Sequence, residues 1–130
     1  MSLKSTVQFL QSGDTSIGKC GATTLVGKEG YCVKLHTDGT LIVNSSQGEY
    51  CWPLITAGAV GAPVAYATPG AVVYLYAGAT FSIGDYLTSD GSGGWMTAAS
   101  ADYVGAIALE AATAAGDFVK AVVLSPRIVA

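Results

Sequence analysis

Charge is scarce in this chain. Of 130 residues only 12% are charged, six Lys and Arg against nine Asp and Glu, where ordinary domains carry roughly 25%. The cations are scattered, and a net charge of -3 with a pI near 4.7 leaves no basic footprint for gripping phosphates. Direct nucleic-acid binding is therefore disfavoured. Between Glu49 and Asp85 no charged residue occurs at all, a run long enough to raise a membrane-spanning helix. Pro53, Pro63 and Pro69, with Gly58, Gly61, Gly70 and Gly78, break it repeatedly, and lipid offers freed backbone groups few partners. No membrane partner is expected; a buried or subunit-facing β region fits the run.

Histidine and cysteine are scarce too. His36 is the only histidine, and Cys20, Cys32 and Cys51 make an odd count without close pairs, which argues against a secreted disulfide scaffold. Reduced, structural thiols are expected. The opening "MSLKSTVQFLQSGD" has no apolar segment followed by a small-residue cleavage site, so synthesis in a cytoplasm is expected.

The chemistry these residues offer is thin. Cys32 and His36 could in principle form a nucleophile and base, but positions an even number apart on one strand alternate onto one face, and Asp38 is already explained by a turn. A zinc site from Cys20, Cys32, His36 and Cys51 has suitable ligand types but lacks the close cysteine pair that builds each half of a structural site. "TDGT" has the wrong order for an aspartic-protease loop, "DGSGG" is one copy of a pattern that binds calcium only when stacked, and no phosphate-cradling loop occurs. No enzyme activity, cofactor or metal is expected.

What the chain does have is glycine, 17 residues of it, punctuating short runs of Val, Ile, Leu, Tyr and Thr. That is the pattern of many short strands. In "GYCVKLHTDGTLIVN", Cys32–Leu35 and Leu41–Val43 flank an Asp-Gly pair suited to a tight hairpin. "APVAYATPGAVVYLYAG" places strands on both sides of the Pro69-Gly70 turn. "FSIGDYLTSDGSGGWMTAA" reads as strand, flexible glycine-rich loop, strand, with Trp95 and Met96 restarting the apolar pattern.

"YVGAIALEAATAAGDFVKAVVLSP", residues 103 to 126, is ambiguous. Val104, Ile107, Ala108 and Ala111 share a helical face and alanine is the best helix former. Against this, Gly105 and Gly116 each cost about 1 kcal/mol inside a helix, while Ile107/Leu109 and Val119/Ala121/Val123 alternate strictly. Two strands around "AATAAGD" are preferred, with a short helix left open. "IGDYLTS" and "AGDFVKA" echo one another, each marking a turn that enters a strand. The expected fold is all-β, a small barrel or sandwich of short strands, in one domain spanning 1–130 with 1–12 as an N-terminal arm.

The opening "VQFLQSGDT", then "AGATFSIGDYLTSDGSGGWMTAA", then "YVGAIALEAATAAGDFVKAVV" follow one another in an order that resembles the small capsid cement, or head decoration, proteins of tailed bacteriophages. The likeness runs throughout Ala77 to Leu124; Gly18 to Val60 agrees mainly in its density of strands and turns. The resemblance implies a β-rich, noncatalytic protein on the outer surface of the expanded, DNA-filled head. It would be a homotrimer, made in the host cytoplasm, contacting the major capsid protein in the virion and stabilising the shell.

On that reading the scarcity of charge reflects subunit interfaces, which resemble a cut core. "AVVYLYAG" is the candidate inter-subunit strand, with Tyr74 and Tyr76 on one face. Trp95 and Trp52 are further stiff anchors, although core packing competes for each tyrosine and is preferred for Trp52. The apolar ends "TVQFLQ" and "SPRIVA" would fray unless docked. The expected capsid or subunit interface is thus Val7, Phe9, Leu10, Tyr74, Tyr76, Trp95, Ile128 and Val129. The alternative is a β-sandwich carbohydrate-binding module that stacks sugars on Trp95 and exposed tyrosines.

Overall fold

The computed structural model describes residues 9–129, and every regular element among them is a strand. In chain order these are β1 (Leu10–Ser12), β2 (Thr15–Lys19), β3 (Cys32–Leu35), β4 (Leu41–Val43), β5 (Trp52–Thr56), β6 (Pro63–Ala67), β7 (Val72–Tyr76), β8 (Tyr86–Ser89), β9 (Trp95–Thr97), β10 (Tyr103–Ala108) and β11 (Phe118–Ile128). They build two antiparallel sheets, ordered β1-β7-β11-β10-β8-β9 and β2-β6-β5-β3-β4. Neither is closed into a barrel, and the arrangement is consistent with the sandwich alternative.

The two expected hairpins are present. β3 and β4 pair through Val33↔Val43 and Leu35↔Leu41, and Gly39 takes the positive φ of +86° that the turn demands. β8 and β9 pair through Leu87↔Thr97 and Ser89↔Trp95. Their loop is not the flexible connection expected. Asp90 Oδ1 accepts hydrogen bonds from the N–H groups of Ser92 (2.7 Å) and Gly94 (3.0 Å), and Gly93 and Gly94 are buried. A Cβ on Gly94 would lie 2.7 Å from the Cα of Gly78, so two glycine backbones are packed against each other.

Strands flank Pro69-Gly70 as expected, but they do not form a hairpin. β6 lies in the five-stranded sheet between β2 and β5, and β7 in the six-stranded sheet between β1 and β11. The turn, closed by Ala71 N–H to Thr68 C=O at 3.1 Å, is a corner that carries the chain from one sheet to the other.

Residues 103–126 hold two strands and no helix. β10 and β11 pair through Ala106↔Val123, Ile107↔Val122 and Ala108↔Ala121. Ala106, Ala108, Ala121 and Val123 are fully buried; Ile107 and Val122, which alternate with them, are half-buried on the opposite face. The alanines are there for their size. They line the core around Trp95, the largest fully buried side chain.

That core lies between the sheets and joins Val73, Leu75, Leu87 and Val119 of the six-stranded sheet to Cys32, Cys51 and Ala67 from the other side. A second cluster, Cys20, Leu25, Val33, Leu41, Leu54 and Val64, occupies the opposite face of the five-stranded sheet, since Val33 follows the inward Cys32. The five-stranded sheet is therefore covered on both faces, and the six-stranded sheet mainly on one.

Candidate interaction surface

The uncovered face of the six-stranded sheet is assembled by alternation. Each inward residue of the core is followed by one that stands outward, and cross-strand pairing aligns these outward residues. Tyr86 of β8 is opposite Ile107 of β10, Ile107 opposite Val122 of β11, and Val122 opposite Val72 of β7. One apolar row thus crosses four strands. Below it Lys120 is opposite Tyr74 and Phe118 opposite Tyr76. The guanidinium of Arg127 lies 4.5 Å from the centroid of the Tyr86 ring, near enough for a cation–π contact. Ile128, 55% exposed, is opposite Tyr103, 40% exposed.

Tyr74 and Tyr76 share this face as expected. Tyr76 stacks on Tyr31, with centroids 4.3 Å apart and planes at 7°, and Tyr31 lies beneath Lys28. The expected inter-subunit strand offers only its face. Tyr74 N–H is taken by Phe9 C=O and Tyr76 N–H by Gly30 C=O, while β11 occupies the other side. No edge of β7 remains to pair with a second chain.

The other expected interface residues are dispersed. Trp95 is a correction: it is 0% exposed, and its indole N–H donates to Gly30 C=O at 3.1 Å. Gly105 makes room for the indole, as a Cβ there would lie 2.9 Å from Trp95 Cζ3. Phe9 is a second correction, 7% exposed and edge-on to Phe118 at 5.5 Å. Leu10 packs against the main core, Val129 is half-buried, and Val7 lies outside the described residues. Sequence reasoning missed Tyr86, Ile107, Val122 and Phe118; the alternation in β10 and β11 carried the signal, but not which face would be covered.

The residues weighed for chemistry do not converge. Cys20 sits in the outer cluster, Cys32 and Cys51 in the core between the sheets, and His36 is exposed. All three thiols are free and buried. Burial above all, with Cys51 alongside, pushes the Cys32 thiol well above its ordinary range, so it stays protonated. Asp38 belongs to the hairpin turn. Its carboxylate accepts from Thr40 Oγ1 at 2.6 Å and Thr40 N–H at 3.0 Å, which lowers its pKa to about 2.

A cleft of about 300 Å³ opens on the five-stranded sheet where β3 and β5 diverge. The two strands are paired only at Cys32↔Pro53 and Val33↔Trp52. Beyond that, the cleft is lined by Lys34, the exposed Leu35, His36 and Thr37 from one side, and by Glu49, Tyr50 and Trp52 from the other. Lys34 Nζ and Glu49 Oε1 form an ion pair at 2.9 Å, and Asn44 Nδ2 donates to the same oxygen at 3.1 Å. Tyr50 stands edge-on to Trp52, 5.5 Å away, and its hydroxyl donates to Leu124 C=O at 3.2 Å. Burial pushes the Tyr50 phenol up, against the indole of Trp52, which lowers it. No protein-family model matches the chain, and no curated protein matches it.

Proposed function

We propose that this chain is a noncatalytic structural protein that seats on the outer surface of an expanded bacteriophage head as a homotrimer. It contacts the major capsid protein there and stiffens the shell against packaged DNA. On this reading it is made in the host cytoplasm and ends in the virion.

The observation that carries the reading is the outer face of the six-stranded sheet. Tyr86, Ile107, Val122 and Val72 form one row across four paired strands, in a chain of which only 12% is charged. A pleated sheet holds such a row rigidly, so little conformational entropy is lost when a partner covers it. A clamp that binds the expanded lattice better than the compact precursor stabilises the expanded form by that difference in affinity. Repeated over the shell, weak contacts add.

The carbohydrate-binding alternative loses Trp95, which is enclosed in the core, and keeps of its expected platform only exposed tyrosines such as Tyr86 and Tyr103.

Cosedimentation of the purified protein with expanded heads and with compact precursor shells, alongside the mass of the free protein, tests the proposal. The expected result is saturable binding at a fixed ratio to the major capsid protein, stronger on expanded heads, by a trimer. Absence of binding to either shell overturns it.

A further inference from the structure

We propose that the cleft between residues 34–37 and 49–52 is a binding site for a neutral saccharide. This goes beyond the docking role and uses the other sheet.

The site has the two parts that sugar recognition needs. The first is an aromatic wall. Trp52 is half-buried, held edge-on by Tyr50 at 5.5 Å and tilted against Tyr66 at 5.0 Å. Tyr50 is in turn tied by its hydroxyl to Leu124. The rings are thus fixed before a ligand arrives, and a fixed aromatic surface offers the apolar C–H face of a pyranose contact at little entropic cost.

The second part is a set of polar groups with bonding capacity to spare. Glu49 Oε1 accepts from both Lys34 Nζ and Asn44 Nδ2, which orients the carboxylate and leaves Oε2 to accept from a hydroxyl. Lys34 spends one of its three donors on Glu49. His36 and Thr37 add further polar groups on the same side as Lys34.

Charge selects the ligand class. Lys34 and Glu49 neutralise each other, so an ionic ligand gains no net attraction, while a polyhydroxylated neutral one can use both members of the pair. An extended peptide is a poorer fit, because the contacts the cleft offers are those of side chains, an ion pair and two aromatic rings. The volume of about 300 Å³ lies at the small end of ligand sites, suited to one or two sugar rings.

The test uses the intact protein, isotopically labelled, titrated with maltotriose, cellotriose, chitotriose and mannotriose up to about 10 mM, a range that covers weak sites. At least one trisaccharide is expected to give saturable amide shifts centred on residues 34–37 and 49–52. Glu49→Gln, which keeps the side chain's shape, is expected to weaken binding about tenfold or more while keeping a cooperative unfolding transition. Trp52→Ala is expected to abolish binding, and Trp52→Phe to retain part of it if the ring is the platform. No saturable shift with any of the four overturns the proposal. So do shifts centred elsewhere, a Glu49→Gln variant that binds as well as the parent, or a response only to an extended tripeptide control. Neither Glu49→Gln nor Trp52→Phe touches the outer face of the six-stranded sheet, so cosedimentation with phage heads is unaffected and the two proposals fail separately.

Discussion

At the scale of single residues, three turns use one device. Asp85, Asp102 and Asp117 each accept, through Oδ2, a hydrogen bond from the N–H three residues earlier, that of Ser82, Ala99 and Ala114. Each aspartate N–H donates back to the carbonyl of that same residue. Before each aspartate the backbone is left-handed, at Gly84, Ala101 and Gly116, and after it Tyr86, Tyr103 or Phe118 opens a strand. The sequence echo disclosed two copies, both spelled Gly-Asp; the third was hidden because Ala101 stands where the others have glycine. Ala101 has φ +73°, and alanine there is strained by about 1–2 kcal/mol. Ala101→Gly is therefore expected to stabilise the fold, although the looser unfolded chain returns about 0.5–1 kcal/mol of the gain. Urea denaturation checks this, and a lowered midpoint would count against the strain. Asp117 is partly exposed, yet the Thr113 N–H and hydroxyl and the Ala114 N–H hold its carboxyl below the usual range. A carboxyl depressed in the folded state adds stability that is complete above its unfolded pKa of about 4. That stability is lost as pH falls through the folded value. Asp117→Asn should thus lower the thermal midpoint at pH 7 and converge on the parent toward pH 2; a gap that stays constant over that span would exclude the carboxylate's charge as the cause.

At the scale of elements, the hairpins were legible because their turns are local chemistry: Asp38-Gly39 sets one, and the Gly-rich stretch after Ser89 the other. The partition of strands between sheets was not legible, since Pro69-Gly70 fixes a turn but not whether the next strand returns to its neighbour or crosses to the facing sheet. The fate of Trp95 was hidden for a related reason. Alternation says that Trp95 and Met96 face opposite ways, and only the facing sheet decides which of them is inside. The nearest signal was Gly105, a glycine within a strand, which marks a bulge or a close approach; β10 shifts register against β11 at this position. A Cβ at Gly105 would lie 2.9 Å and 3.1 Å from Trp95 Cζ3 and Cη2, and 3.2 Å from Cys51 C=O. Gly105→Ala is expected to destabilise the protein by about 1–3 kcal/mol through overpacking. Trp95→Phe alone should also destabilise it, by leaving a void and removing one of the two hydrogen bonds that the Gly30 carbonyl accepts, the other coming from Tyr76 N–H. Because the smaller ring vacates the space the new methyl needs, the double variant should lose less than the sum of the two. Denaturant midpoints of the four proteins measure this directly, and strict additivity would mean that the indole does not set the requirement for glycine.

At the scale of the whole molecule, the two faces of the sandwich differ in what covers them. The five-stranded sheet carries its own second cluster around Leu25, Val33 and Leu54, whereas the six-stranded sheet turns Tyr86, Ile107, Val122 and Val72 outward. On the proposed reading this asymmetry is functional, and the outward row is where a neighbouring subunit or the shell is seated. Ile107 is at its middle, paired on both sides, so a charge there would be desolvated in any complex but can remain hydrated in the free protein. Burying an unpaired charge at an interface costs several kcal/mol, which corresponds to at least about 100-fold in affinity. Ile107→Lys is accordingly expected to keep a cooperative unfolding transition and a β-type circular dichroism spectrum while losing saturable binding to expanded heads. Val60→Lys serves as its control, because Val60 is 58% exposed on the connection between β5 and β6, outside the six-stranded sheet, and it should bind as the parent does. If Ile107→Lys remains folded and still binds heads at the parental ratio, docking does not use the outer face of the six-stranded sheet. Loss of binding in both variants would point instead to a contact that responds to added positive charge anywhere on the protein.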